Sequence, residues 1–265
     1  METLLHKICV MNRDNGRTFT CCDRLNVIEE VLQDSKYRRI DAQGLFYLYA
    51  QRPLQTIEER IIVISTHVDV QRRITKCFSS EENDRLLGTY DNAITNAAVL
   101  SLMINDRLPE NVVIAFTGDE EESCGGARQL SAYFKSMGKQ PLIIVLDVTD
   151  MGWEEGDCFT VENNFWTETT GRSVISAVSG EPAFRERWHF VPSDVDEIPD
   201  YVSPSRRIDT EAEPDESWEY DEQEMECFSL CIPVSGEMHS DRGVIVLRES
   251  YENYIKALAL IVEKL

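Results

Sequence analysis

Three short runs, Ile61–Ser65, Val112–Phe116 and Leu142–Leu146, are apolar at nearly every position, and stretches with helical spacing lie between them. A strand with one wet face alternates apolar and polar residues, so a strand that is apolar throughout must be covered on both faces. Strands that alternate with helices are joined by crossovers and run parallel. The chain is therefore expected to be α/β, a three-layer α/β/α arrangement around a mostly parallel central sheet. The rest of the sequence fits that frame. Cys21–Asp34 repeats apolar residues at a helical period, and Leu45–Ala50 reads as a strand separated from Ile61–Ser65 by a turn at Arg52-Pro53. Asn92–Asn105 is a small-residue helix suited to close packing on a sheet. Arg128–Met137 reads as a helix ending at Gly138, Thr167–Ser179 as a helix interrupted at Gly171, Phe228–Val234 as a strand and Arg248–Lys264 as an amphipathic helix. Residues 181–214, rich in proline, read as a long irregular excursion of the kind that often carries function. No repeat or linker divides the chain, so residues 1–265 are expected to form a single domain.

Composition removes several classes of function. The formal charge of −22 over 265 residues disfavours nucleic acid, which needs a basic surface. It keeps a chain in solution and draws cations toward a cleft. No apolar run approaches the roughly 18 residues of a membrane span, and Met1–Val10 lacks the apolar centre of a secretory signal. The eight cysteines have no zinc-ribbon spacing, and Cys227 and Cys231 read as packing residues. Reduced thiols in the cytoplasm are the expectation. Much of the charge is local, with ten acids and no base in residues 209–226. That segment, with Trp218, Tyr220 and Met225, reads as a surface helix with a solvated acidic face.

Five short groups hold the chemistry. His67-Val68-Asp69 closes one apolar run, Asp91-Asn92 opens a helix, Glu120-Glu121 follows another run, Asp147 ends a third, and His239 lies in Gly-Glu-Met-His-Ser. In an open α/β sheet the carboxyl ends of the strands face one crevice, so residues this far apart in sequence converge there. Each has an ordinary reading by itself. Asp91 suits a helix N-cap, Glu120-Glu121 suits the positive end of a helix, and His239 suits a loop. Together they are the inventory for two zinc ions sharing one carboxylate. Asp69, two residues from His67 on the same side of a strand, is placed to accept a hydrogen bond from the ring nitrogen that does not bind metal.

Asp-Glu-Glu before a Gly/Ala-rich helix start, with His-x-Asp and Asp-Asn upstream and Asp-Val-Thr and Met-His-Ser downstream, resembles the co-catalytic di-zinc exopeptidases. These comprise zinc aminopeptidases and their carboxypeptidase and deacylase relatives. The likeness runs from about Ile61 to the C-terminus, with the motifs in family order. Leu-Asp-Val-Thr and Met-His-Ser resemble the glutamyl-aminopeptidase branch most. Only 23 residues separate His67 from Asp91, which leaves no room for the domain that branch inserts there. No dimerisation domain lies between Asp147 and His239, so the resemblance implies a bare catalytic domain with an open cleft. Ser123 stands where the family usually has Gly.

The resemblance implies a role for each position. Asp91 would bridge two divalent metal ions, zinc by ligand type; Glu121 and His239 would complete one site, and His67 and Asp147 the other. Glu120 would be the catalytic proton carrier, with Asp69 behind His67, and the peptide after Asp91 would be cis. The implied activity is hydrolysis of short peptide substrates from the N-terminus. Carboxypeptidase, amide deacylase and single-zinc glutaminyl cyclase chemistry remain open on the same frame, as does a silent binding protein. No oligomeric state follows from the sequence.

Overall fold

The computed structural model describes residues 3–10 and 23–265. Its elements are α1 (Leu4–Ile8), α2 (Asp23–Leu32), β1 (Arg38–Gln43), β2 (Phe46–Ala50), β3 (Ile62–His67), β4 (Ser79–Glu82), β5 (Arg85–Gly88), α3 (Ala93–Ile104) and β6 (Val112–Thr117). There follow α4 (Glu120–Ser123), α5 (Gly125–Ser136), β7 (Leu142–Thr149), β8 (Phe159–Glu162), α6 (Glu168–Ser179), β9 (Trp188–Val191), α7 (Glu216–Glu222), β10 (Glu226–Pro233), β11 (Ser235–Glu237), β12 (Gly243–Leu247) and α8 (Arg248–Lys264).

The main sheet has the order β1-β2-β6-β3-β7-β10-β8-β9. Its centre, β6-β3-β7-β10, is parallel, as the unbroken apolar runs require. Alternate residues of each run feed opposite cores. Ile62, Ile64, Ile114, Leu142 and Ile144 pack under α1, α2, α3, α6 and α8. Val63, Val113, Ala115, Ile143 and Val145 pack under α5 and α7 on the other face. The expected α/β/α layering holds, and the antiparallel pairs β1-β2, β2-β6 and β10-β8 lie outside the parallel centre.

The two strands expected on either side of the Pro53 turn are present as β2 and β3, and they are not sheet neighbours, because β2 pairs with β6. Several other local expectations need correction. Helix α6 runs unbroken through Gly171, which is needed for close approach: a Cβ there would sit 2.0 Å from the Tyr201 hydroxyl. The 181–214 excursion contributes a strand, β9, that pairs in parallel with β8. The acidic segment is helical only over α7, and two of its acids, Glu216 and Glu219, are buried with Tyr220, whereas Asp209, Glu211, Glu213, Asp221, Glu222 and Glu224 are exposed as expected. Trp218 leans its edge on Phe165. Cys21 and Cys22, taken as the start of a helix, lie outside the described residues. A second sheet, β11-β12-β5-β4, had no counterpart in the sequence reading. Its strands are short, and two of them, β4 and β11, are polar and mostly exposed. It matters for the site because β5 leads into Asp91 and β11 leads into His239.

Candidate metal centre

The α5/α7 face of the main sheet changes character at the carboxyl ends of its strands. Below, it is apolar. Then comes a row containing Ser65, Val145, Ser229 and Glu162, which are abreast by strand register. One step further, Thr117 pairs with His67, and Asp147 pairs with Cys231, which pairs with Thr160. The register of β3 and β7, continued two residues past Ser65 and Val145, brings His67 beside Asp147. The loops after the strands supply the rest.

All seven residues singled out in the sequence meet there. His67 Nε2 lies 3.1 Å from Asp91 Oδ1, 3.8 Å from Asp147 Oδ1 and 3.8 Å from Glu120 Oε2. His239 Nε2 lies 3.3 Å from Asp91 Oδ2 and 3.6 Å from Glu121 Oε2. Asp69 Oδ1 is 3.3 Å from His67 Nδ1, and its Oδ2 accepts from the Glu121 N–H at 3.2 Å. Candidate ligand atoms gather in three overlapping groups: His67, Asp91 and Asp147; Asp91, Glu121 and His239; and His67, Glu120 and Glu121.

The donors fit a metal. Both ring nitrogens of His67, Asp91 Oδ1 and Glu121 Oε1 are buried without a hydrogen-bond partner, although such atoms are costly to leave unpaired. Two ligands, each about 2.0–2.1 Å from one tetrahedral ion, stand roughly 3.3 Å apart, and the spacings above cluster around that value. Charge points the same way. Burial, and then Asp147, Asp91 and Glu121 against the pull of His67, push Glu120 up to about 10. Burial, with Asp91 next, raises Glu121 to about 8. Burial would also raise Asp91, but the two histidines hold it well below the carboxylate range. Burial would lower His67, yet Glu120, Asp147, Asp69 and Asp91 hold its proton far more tightly than usual. So many acids cannot all ionise together without a cation among them. Bound divalent ions would reverse that pressure.

Local structure explains the placement. The single turn α4 is bracketed by Asp119 and Cys124, both left-handed, with φ of 65° and 51°. Ser123, standing where glycine is usual, has no positive φ to accommodate, and its hydroxyl donates to Asp119 Oδ2 at 2.5 Å. The Asp91–Asn92 peptide is cis. Asn92 Nδ2 donates to the Leu146 carbonyl at 2.7 Å, and Asn96 Nδ2 to the His67 carbonyl at 2.9 Å, tying the start of α3 to the ends of β7 and β3.

Sequence reasoning missed the supporting acids. Glu216 Oε2 accepts from the hydroxyls of Ser65 and Thr117, each at 3.1 Å, directly beneath the centre. Asp215 caps α7 and accepts from Ser229. Glu162 takes a hydrogen bond from Thr160, and burial raises it to about 8. The only available signal was hydroxyl residues at strand ends facing an acid-rich segment, and that pattern is weak. A cavity of about 110 Å³ opens onto Asp91, Glu120, Asp147 and His239, with Glu162, Glu213 and Met238 among its walls. His239 forms the open rim, its side chain half exposed.

Residues 49–220 match the sequence profile of peptidase family M28. The TET1 peptidase of Pyrococcus horikoshii superposes with a TM-score of 0.62 at 12% identity, over 91% of this chain and 93% of that one. An aminopeptidase from the archaeon Desulfurococcus kamchatkensis does so at 0.66 and 10%, over 98% and 93%. BSAP, a zinc aminopeptidase from Bacillus subtilis, gives 0.55 and 13%, over 82% and 49%. At such identities the likeness is one of fold. No curated protein matches by sequence.

Proposed function

The chain belongs to peptidase family M28, and on that premise we propose that it is a two-metal aminopeptidase that releases N-terminal residues from short peptides. Membership makes it a zinc-dependent hydrolase. The number of ions, the ligand roles and the end of the peptide attacked are what the proposal adds. The observation that carries it is Asp91, whose Oδ1 faces His67 and whose Oδ2 faces His239. One carboxylate serving two ligand groups suits two ions a few ångströms apart. His67 and Asp147 would complete one site with Asp91, and Glu121 and His239 the other. A single domain would then carry the whole centre, drawing on β3, β7, α4 and the loops beyond β5 and β11.

When bound, the ions would polarise the scissile carbonyl and make water a nucleophile near neutral pH. The protein's own groups do the rest. Glu120, not assigned as a ligand, takes the proton from the attacking water and passes it to the leaving amine. Asp69, with Oδ1 3.3 Å from His67 Nδ1, would orient the ring and, by accepting from the Glu121 N–H, fixes α4 relative to β3. The choice of peptide end rests on charge. The cavity lining includes Asp150, Glu213 and Asp215 besides the centre itself, and among the described residues no Lys or Arg. Such a lining attracts the cationic amine of a free N-terminus and repels a terminal carboxylate.

An amidated peptide with a free N-terminus should lose residues from the front, and its N-acetylated twin should be inert, as read by mass spectrometry over time. Efficient turnover of the acetylated peptide, with loss of its acetyl group, would move the assignment to deacylase. A C-terminal residue released from an unblocked peptide would move it to carboxypeptidase.

A further inference from the structure

The loops carrying His67, Asp69 and Asp91 meet over a buried cation that none of the chemistry above uses. Arg24, in the first turn of α2, is fully buried, and it is the only Lys or Arg buried among the described residues. Its Nη1 donates to the main-chain carbonyl of Asp69 at 3.2 Å and that of Val68 at 3.5 Å; its Nη2 donates to the carbonyl of Asp91 at 3.1 Å. It forms no ion pair with any described carboxylate. Arg24 also precedes the residues matched by the family profile.

A guanidinium taken out of water is costly unless its donors are used. Here Nη1 and Nη2 are spent on carbonyls from two separate loops, and Nε is left buried without a partner. The loop after β3 carries Asp69 two residues beyond His67; the turn after β5 carries Asp91. Among the described residues no secondary structure joins those two loops at that point; beside the Asn96 bond to the His67 carbonyl, the planar fork of one arginine bridges their backbones directly. A lysine has no such fork and, as a point charge on a flexible stem, cannot reproduce the geometry. We propose that Arg24 is a positioning residue for the metal centre, clamping the β3 loop to the Asp91 turn through their carbonyls without touching metal or substrate. This rests on the ligand set assigned above.

The test uses the full chain with Arg24→Lys and Arg24→Ala, each checked for folding by circular dichroism. Zinc affinity is measured by competition with a chromophoric chelator, and the ligand field from the absorption spectrum after cobalt loading. Arg24→Lys should bind zinc at least tenfold more weakly, with an altered cobalt spectrum and a fall in kcat larger than any change in KM. Millimolar guanidinium ion should restore part of the affinity in Arg24→Ala and none in Arg24→Lys. Should Arg24→Ala not fold, Arg24→Lys decides alone. A folded Arg24→Lys with wild-type zinc affinity, cobalt spectrum and kcat would overturn the proposal, even if its melting temperature fell, because the arginine would then be only a core staple. If the wild-type chain took up no zinc, the ligand assignment itself would fail, and this proposal with it.

Discussion

Glu120 and Glu121 are neighbours with the same side chain, and the site separates them by direction. Glu121 Oε2 lies 3.6 Å from His239, and its N–H is held by Asp69; Glu120 faces His67 from 3.8 Å and lines the cavity. Glu120→Gln keeps the shape and removes the base, so zinc content should survive while kcat falls on the order of 10²–10⁴-fold. Glu121→Gln should instead lower zinc content, which elemental analysis of the purified variants would read directly. Near-normal turnover by Glu120→Gln would require another base. A second prediction concerns Glu216, buried with one oxygen on two hydroxyls and Oε1 unpaired. Burial raises it to about 7, so the folded chain holds this proton more tightly than the unfolded chain does. Its contribution is complete below the ordinary glutamate range and is lost as pH rises through about 7. In metal-free protein, Glu216→Gln should therefore gain on wild type between pH 5 and pH 8 by about 2–3 kcal/mol. Urea unfolding of both proteins at the two pH values measures this. An unchanged difference would mean that the acid stays ionised in the fold.

The elements that could be read in the sequence were those whose burial leaves a pattern. Strands β3, β6 and β7 are covered on both faces and so are apolar until their carboxyl ends, and α8 is amphipathic. The small sheet was not legible, because β4 (Ser79–Glu82) and β11 (Ser235–Glu237) are short and mostly exposed. Yet this sheet brings Asp91 and His239 to the centre. The candidate ligands were legible only as a set, since their convergence follows from where parallel strands end. Asp215, Glu216 and Glu219 were misread because charge usually marks solvent, and nothing local in a sequence says that Ser65, Thr117, Ser229 and Arg128 await them. One element-level feature can be tested at Gly126, in the first turn of α5. A Cβ there would lie 2.6 Å and 2.8 Å from Gly118 O and N, and 2.8 Å from Leu45 O. The Gly118 atoms belong to the loop that delivers α4 and Leu45 O to the turn before β2, and as backbone none of them can swing aside as a side chain could. Gly126→Ala should cost about 1–3 kcal/mol and shift Glu120 and Glu121, so kcat should fall further than stability alone explains. Denaturant melts paired with kinetics on folded protein would show it, and a variant with wild-type kcat would mean that α4 is positioned from elsewhere.

At the scale of the whole molecule, the charge of −22 divides into two populations that respond differently to solution conditions. Surface acids are screened by salt within roughly 10 Å at 0.1 M. The acids of the centre, with Asp91, Asp147 and Glu216 buried, are not, and their repulsion is relieved by bound protons or by a cation seated among them. Ions that bind the fold and not the unfolded chain stabilise it by mass action. At about a hundred times Kd each ion contributes roughly 2.7 kcal/mol. Two ions would add roughly 5 kcal/mol, on the order of 10–20 °C in Tm for a domain near this size. Chelator-treated protein should therefore melt well below zinc-loaded protein. Monovalent salt at equal ionic strength should recover little of the gap. Asp91→Ala, which removes an oxygen from both ligand groups, should lose most of the zinc-dependent gain, whereas His239→Ala, which touches one group, should keep about half. Scanning calorimetry of the three proteins with and without zinc makes the comparison. A zinc response equal in Asp91→Ala and wild type would break the assignment of Asp91 as the shared ligand. A response abolished equally by both variants would point to a single ion held by all the ligands together.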